Sequence, residues 1–267
     1  MLTDYFVSLL RVRFLQKTLW RGWYEYLARG YRNADWTFMN YGFDDPNAGR
    51  LTLEPADEKD RFCIQLYDYV TASVDLREKR VLEVGCGRGG GCSFIARYKK
   101  PQQMTGVDLS SAAIEFCRQT HRTPGLEFRQ GDAEQLPFSA SSFDVVVNVE
   151  SSHCYPDLPA FFKEVHRVLK PSGHFLYADI REISNLNAWR EALLGAGFSL
   201  NADEDITGQV LSALDRDNER KVRMIDSLIP GVLRSSFHDF AGTRGTRIYE
   251  AFRTGSLIYR RFSARKE

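Results

Sequence analysis

Val81-Leu-Glu-Val-Gly-Cys-Gly-Arg-Gly-Gly-Gly91 is a short apolar strand that runs directly into a glycine-dense turn, and a helical pattern follows from Cys92 to Tyr98. The turn out of such a strand is tight and its backbone must come close to a ligand, so side chains there would obstruct both. Met104-Thr-Gly-Val-Asp108 is the next apolar strand. Its terminal Asp108 stands roughly twenty residues downstream, where a carboxylate can take the two hydroxyls of a ribose. Glycine turn and acid together predict a nucleotide-type cofactor loop.

A bare glycine fingerprint fits NAD, FAD and S-adenosylmethionine alike. Two further acids separate them. Glu83 precedes the first glycine by two positions, giving Glu-x-Gly-x-Gly-x-Gly, and Asp132 sits in Gly-Asp-Ala after a third strand from Leu126 to Arg129. A loop built for a pyrophosphate at the head of a helix gains nothing from an extra carboxylate. A cationic ligand does gain, and S-adenosylmethionine carries an ammonium and a sulfonium beside its carboxylate. No Gly-Lys-Ser/Thr follows the glycines, which excludes a P-loop.

Here the chain resembles a known family. Glu83-Val-Gly-Cys-Gly-Arg-Gly-Gly, Val107-Asp-Leu-Ser110, Gly131-Asp-Ala-Glu-Gln-Leu-Pro-Phe138, Phe143-Asp-Val-Val-Val-Asn148 and Glu164-x-x-Arg-Val-Leu-Lys-Pro-x-Gly173 follow in the order of the motifs of class I S-adenosylmethionine-dependent methyltransferases. More narrowly, the whole chain is similar to the phthiotriol/phenolphthiotriol dimycocerosates methyltransferases, which O-methylate a secondary alcohol on a long lipid. That likeness rests on Gly89-Gly-Gly91, Val149-Glu-Ser-Ser-His-Cys-Tyr-Pro156, Tyr177-Ala-Asp-Ile-Arg181 and Leu257-Ile-Tyr-Arg-Arg-Phe262. The cofactor site implied uses Glu83, Gly85, Cys86, Gly87, Gly89, Asp108, Leu109, Asp132, Ala133 and Asn148.

Composition agrees with an ordinary enzyme. At 267 residues and 43% hydrophobic content the chain can bury one large core, and a net charge of +1 gives no sign of a polyanionic partner such as nucleic acid. The five cysteines form no Cys-x-x-Cys pair and are odd in number, so buried reduced thiols are expected. No apolar run approaches the ~18 residues of a membrane span, and no signal-peptide pattern opens the chain; a cytoplasmic location is the expectation. No His-Glu-x-x-His or carboxylate-histidine cluster has ligand spacing, so no metal is expected.

Strand and helix patterns alternate from Arg80 to Ile180, the mark of an α/β domain with a parallel sheet covered on both faces. Strands are expected at Arg80 to Gly85, Met104 to Asp108, Leu126 to Gln130, Phe143 to Val149, His174 to Ile180 and Phe198 to Ile206. Ala160 to Leu169 and Asn187 to Leu194 are expected as helices, the first stopped by Lys-Pro-Ser-Gly. The resemblance implies a Rossmann-like sheet of seven strands, with Leu257 to Arg265 as an antiparallel last strand. It also implies that the polar, helical stretch 208–255 is a lid over the acceptor pocket. The domain then runs over 61–267, preceded by a helical cap segment over 1–60.

Within that cap, residues 1–32 mix Phe6, Leu9, Phe14, Trp20 and Trp23 with Arg11, Arg13, Lys17 and Arg21. The spacing fits a helix packed on its own protein. The alternative, which gains weight only from the lipid acceptor the resemblance implies, is an interfacial helix that touches lipid or a membrane surface. Phe38-Met-Asn-Tyr-Gly-Phe43 is similar to a segment that folds over the cofactor in small-molecule methyltransferases, which would place Tyr41 at the pocket.

A sulfonium already activates its methyl group, so the chemistry left to the protein lies on the acceptor side. A neutral alcohol is a poor nucleophile, and a base that takes its proton adds roughly 10²- to 10⁴-fold in rate. His153 follows the fourth strand at the carboxyl edge of the sheet and is the expected base; Asp179, ending the fifth strand, would hold the imidazolium. A space-filling or carbonyl-bonded His153 is the bland alternative, and Glu150 is the second candidate. His121, His166, His174 and His238 are expected in core or surface roles. The function expected is O-methylation of a hydroxyl on a small, hydrophobic or lipid-like acceptor. The alternatives are C-methylation of a prenyl or quinone-type carbon, or a binding protein that retains the cofactor without transfer. Oligomeric state is left open.

Overall fold

The computed structural model describes residues 36–267, so the expectations for 1–32, including lipid contact, lie outside the described residues. Seven strands follow the expected positions closely. They are β1 (Arg80–Val84), β2 (Gln103–Asp108), β3 (Leu126–Gln130), β4 (Phe143–Val149), β5 (Leu169–Glu182), β6 (Phe198–Asp205) and β7 (Leu257–Lys266). They form one sheet in the order β3-β2-β1-β4-β5-β7-β6. Pairings among β1 to β5 are parallel, and β7 runs antiparallel to both β5 and β6. This is the Rossmann-like α/β sheet with an antiparallel last strand that the motifs imply.

Helices cover both faces because the strands alternate between two cores. Along β4, Val145, Val147 and Val149 join one apolar cluster while Val146 joins the other. The first cluster packs α1 (Arg61–Thr71), α2 (Gly90–Phe94), α3 (Ser111–Thr120) and the later α6 (Thr207–Leu228) and α8 (Arg247–Arg253). The second packs α4 (Leu158–Val168) and α5 (Leu186–Gly195) through Phe161, Phe162, Val165, Trp189 and Leu193. Asp157 starts α4: its carboxylate accepts the Ala160 N–H at 3.0 Å, satisfying a donor the first turn would leave open. The stretch expected as a lid is three helices, α6, α7 (Gly231–Phe240) and α8.

One expectation shifts. The fifth strand starts at Leu169, not His174, because Leu169 already pairs with Phe143 and Lys-Pro-Ser-Gly bulges out, with Ser172 at φ +62°, before pairing resumes at His174. Before α1, the described residues include a short 3₁₀ turn at Pro55–Asp60.

The chain builds outward from β1 to β3 and then returns to place β4 on the other side of β1. Crevices in open α/β sheets form at such a reversal, beyond the carboxyl ends of the strands.

Candidate active site

A cleft of about 1150 Å³, counted to its open mouth, lies at that reversal. Each strand end delivers part of the wall: Val84 and Gly85 from β1, Val107 and Asp108 from β2, Gly131 and Asp132 after β3, and Glu150, Ser151 and His153 after β4. Gly85 and Gly87 have φ of +72° and +51°, the left-handed region open to glycine. A Cβ on Gly85 would stand 2.3 Å from the Ser151 hydroxyl, so backbone rather than side chain must face the cleft there.

Asp108 is held from both sides. One carboxylate oxygen accepts the Gly87 N–H at 2.9 Å and the other the Ser110 N–H at 2.9 Å. Burial pushes its carboxyl above the ordinary value, against those backbone bonds. Asp132, Glu134 and Glu150 add carboxylates to the wall, while Val84, Leu109, Ala113 and Ala133 add apolar surface. Acids, ribose-ready carboxylate and apolar walls together suit a ligand that is cationic, hydroxylated and aromatic in turn, which describes S-adenosylmethionine.

The expected residues divide into two groups. Tyr41, Gly85, Gly87, Asp108, Leu109, Asp132, Ala133, Glu150 and His153 line the cleft. Glu83, Cys86, Gly89, Asn148 and Asp179 are not among its lining residues. Glu83 is fully buried, accepting the Tyr67 hydroxyl at 2.6 Å and the Cys92 thiol at 2.8 Å, and burial pushes its carboxyl up to about 7. Asn148 is also fully buried. Its amide donates to the Val84 carbonyl at 2.8 Å and the Ser151 hydroxyl at 2.7 Å, so it props the strand ends that form the wall. The cleft adds Met39, Arg88, Cys154, Tyr155 and Phe240. Cys154 and Tyr155 belong to the Ser-Ser-His-Cys-Tyr-Pro run; Phe240 closes α7 with no motif to mark it.

His153 and Asp179 form a pair. The ring Nδ1 lies 2.8 Å from one Asp179 oxygen, and the His153 backbone N–H donates to the other at 3.0 Å. Asp179 also accepts the Ser152 hydroxyl at 2.6 Å, with the Arg181 guanidinium 3.6 Å away. Asp179 is fully buried while 21% of the His153 side chain stays accessible, so the ring alone faces the cleft. Burial would raise the Asp179 carboxyl, but His153 and Arg181 outweigh it and hold it well below the usual range. Burial would lower His153, yet the Cys154 sulfur and Asp179 outweigh it and hold the imidazole well above its ordinary value.

Glu150 sits opposite in strained backbone, with φ at +50°. One oxygen accepts the Tyr41 N–H at 2.9 Å and the Tyr259 hydroxyl at 3.1 Å, and burial pushes its carboxyl up to about 7.

Sheet order, glycine turn and carboxylate set together define a class I S-adenosylmethionine-dependent methyltransferase. Residues 82–177 match the methyltransferase domain family. The chain is 40% identical over 251 residues to a phthiotriol/phenolphthiotriol dimycocerosates methyltransferase of Mycobacterium tuberculosis, covering 94% of this chain and 93% of that one. It is 40% identical over 239 residues to a fatty-acid O-methyltransferase of Mycolicibacterium smegmatis, covering 90% and 86%. The chain therefore belongs to the family of the phthiotriol/phenolphthiotriol dimycocerosates methyltransferases. Among solved structures, the (4+2)-cyclase SpnF superposes with a TM-score of 0.71 at 20% identity, covering 92% of this chain and 94% of that one. At that identity the likeness shows the fold alone.

Proposed function

We propose that this cleft transfers a methyl group to a hydroxyl on a hydrophobic, lipid-like acceptor, with His153 as the general base. The observation that carries the reading is the 2.8 Å contact between His153 Nδ1 and a buried Asp179, which fixes one ring nitrogen on the carboxylate while the imidazole lines the cleft. Asp179 fixes the tautomer and stabilises the imidazolium once the proton has moved. The lipid-like acceptor is supported by the names of the two relatives, one dimycocerosate-directed and one fatty-acid-directed.

Asp108 would hold the ribose hydroxyls, Gly85 and Gly87 would give backbone approach, and Leu109 and Ala133 would flank the base of the cofactor. When bound, S-adenosylmethionine supplies a methyl group already activated by its sulfonium. The protein's share is to orient the acceptor oxygen, keep bulk water out of the cleft and accept the hydroxyl proton at His153. Phe240 and Tyr41 contribute the apolar cover on the lid side, with the Tyr41 hydroxyl donating to the Phe240 carbonyl at 3.1 Å.

A C-methylation reading has one observation in its favour: Glu150, a half-buried carboxylate in strained backbone, lines the same cleft and could take a proton from carbon. Incubation with S-adenosylmethionine bearing a deuterated methyl group and a lipid extract, followed by mass spectrometry, separates the two. Label on an ether oxygen is expected, and label on carbon would transfer the base role to Glu150. His153→Ala should lower turnover on an alcohol by roughly a hundredfold or more while leaving cofactor affinity nearly unchanged. A near-normal rate would remove His153 as the base.

A further inference from the structure

Beside the cleft lies a second hollow of about 600 Å³, counted out to open solvent, and the two share Met39, Tyr41 and Phe240 as walls. Its remaining lining is largely apolar and comes from the lid helices, including Met224, Ile225, Leu228 and Phe237. Three wall residues do not fit an apolar cavity: Asn40 is bonded to Gly42 and Cys63, Arg220 is paired with Asp217 and Asp60, and the third is Lys221. Lys221 is only 6% exposed and lines this chamber from the buried stripe of α6, between Asp217 and Ile225.

A buried ammonium is costly unless a carboxylate meets it. Among the described residues, no carboxylate lies within ion-pair distance of Lys221. Its hydrogen bond is one of 3.3 Å to the Tyr41 carbonyl, supplemented by the Tyr41 ring at 5.7 Å. An ammonium has three donors, so two remain for a ligand. The nearby acids are engaged elsewhere. Asp217 takes both its bonds from Arg220 at 2.7 Å, Arg220 also reaches Asp60, and Glu150 is bonded to Tyr41 and Tyr259. Burial draws Lys221 below the ordinary lysine value, the direction expected of an ammonium lacking an acid partner.

We infer that Lys221 is an anion anchor, and that the side chamber takes a carboxylate on a hydrophobic body, the acidic end of an amphipathic acceptor whose other end reaches the cleft. The assignment of that ligand as the acceptor rests on the methyl-transfer reading above. Binding of the acid itself does not. Apolar walls would hold the hydrocarbon, and a neutral lipid would leave the buried ammonium without compensation.

Palmitate and hexadecanol, titrated separately into the full chain and followed by calorimetry, test this without turnover. Palmitate should bind at least about tenfold tighter than hexadecanol, the preference expected of one charge-assisted bond. Lys221→Met should abolish the preference while retaining hexadecanol binding, which reports that the variant is folded. Equal affinity for acid and alcohol in the unaltered protein, or a preference that survives Lys221→Met, would overturn the inference. If the preference is present and depends on Lys221 while no labelled ether forms from any hydroxylated acid, the anion anchor stands and the hydroxyl-transfer reading falls.

Discussion

Asp179 has no surface of its own; it bonds the His153 ring and N–H, the Ser152 hydroxyl and the Ile180 N–H, with Arg181 3.6 Å away, and of these residues only His153 lines the cleft. Its effect is therefore read through the histidine. A base must be unprotonated to act, and the imidazole is held above its ordinary value, so kcat/KM should rise with pH along a limb lying above about 6.5. Asp179→Asn removes the carboxylate that favours the imidazolium. The limb should move toward acid while the plateau falls by roughly a hundredfold, measured as kcat/KM across pH. An unmoved limb would mean that the pair does not set the titration. The pair's contribution to stability has a window with two edges. With its folded value raised, His153 contributes fully below about 6.5, and this is lost as pH rises through that folded value. Depressed in the fold, Asp179 contributes fully above about 4, and this is lost as pH falls. The pair was legible because His153 follows β4 and Asp179 lies near the carboxyl end of β5, both at the ligand-binding edge. Glu83 and Asn148 belong to equally recognisable motifs, yet a motif does not record which face of a strand a residue takes. Both are buried away from the cleft wall. Lys221 carries no motif at all. Its signal is a cation at an apolar position of a helical stripe, visible once Val210, Leu214 and Ile225 are known to face inward.

At the level of elements, the cleft depends on how β1 ends. The strand stops at Val84, Gly85 turns in left-handed backbone, and its N–H donates to the Val107 carbonyl at 2.8 Å, tying the turn to β2. Gly85→Ala places a methyl against the Ser151 hydroxyl, which is bonded to Asn148 and Tyr155. Left-handed backbone alone costs an alanine about 1–2 kcal/mol, and the clash adds to it. Chemical denaturation should register at least that loss. Calorimetric titration with S-adenosylhomocysteine should show strongly weakened binding, and native affinity would mean that the turn tolerates a side chain. Strands β1 to β4 were legible to within about a residue because short apolar runs bounded by glycine, proline and charge leave little choice. The start of β5 was not. Lys170-Pro-Ser-Gly173 carries a breaker's composition and does bulge, but Leu169 before it pairs with Phe143 of β4, a tertiary contact that local sequence does not encode. The stretch 208–255 was legible as polar and helical; its inward stripe, with Lys221, required the packing of α6.

For the molecule as a whole, a ligand in this cleft would touch the ends of β1, β2 and β4 together with the turn after β3. Occupancy then couples to unfolding of the entire sheet and not to one loop. A ligand that binds only the folded chain at a hundred times its Kd adds about 2.7 kcal/mol. For a chain of this size each kcal/mol moves Tm by roughly 2–4 °C, so saturating S-adenosylhomocysteine should raise Tm by roughly 5–10 °C. Asp108→Ala should show two separable effects. The free protein should lose about 1–3 kcal/mol, because the Gly87 and Ser110 N–H groups would be left without their acceptor. The ligand-induced rise should also shrink steeply, since a charge-assisted pair to the ribose hydroxyls is worth about 2–3 kcal/mol. Thermal scans with and without ligand resolve both: a lower starting Tm with an undiminished ligand-induced rise would leave Asp108 a structural brace for the glycine turn and take the ribose away from it.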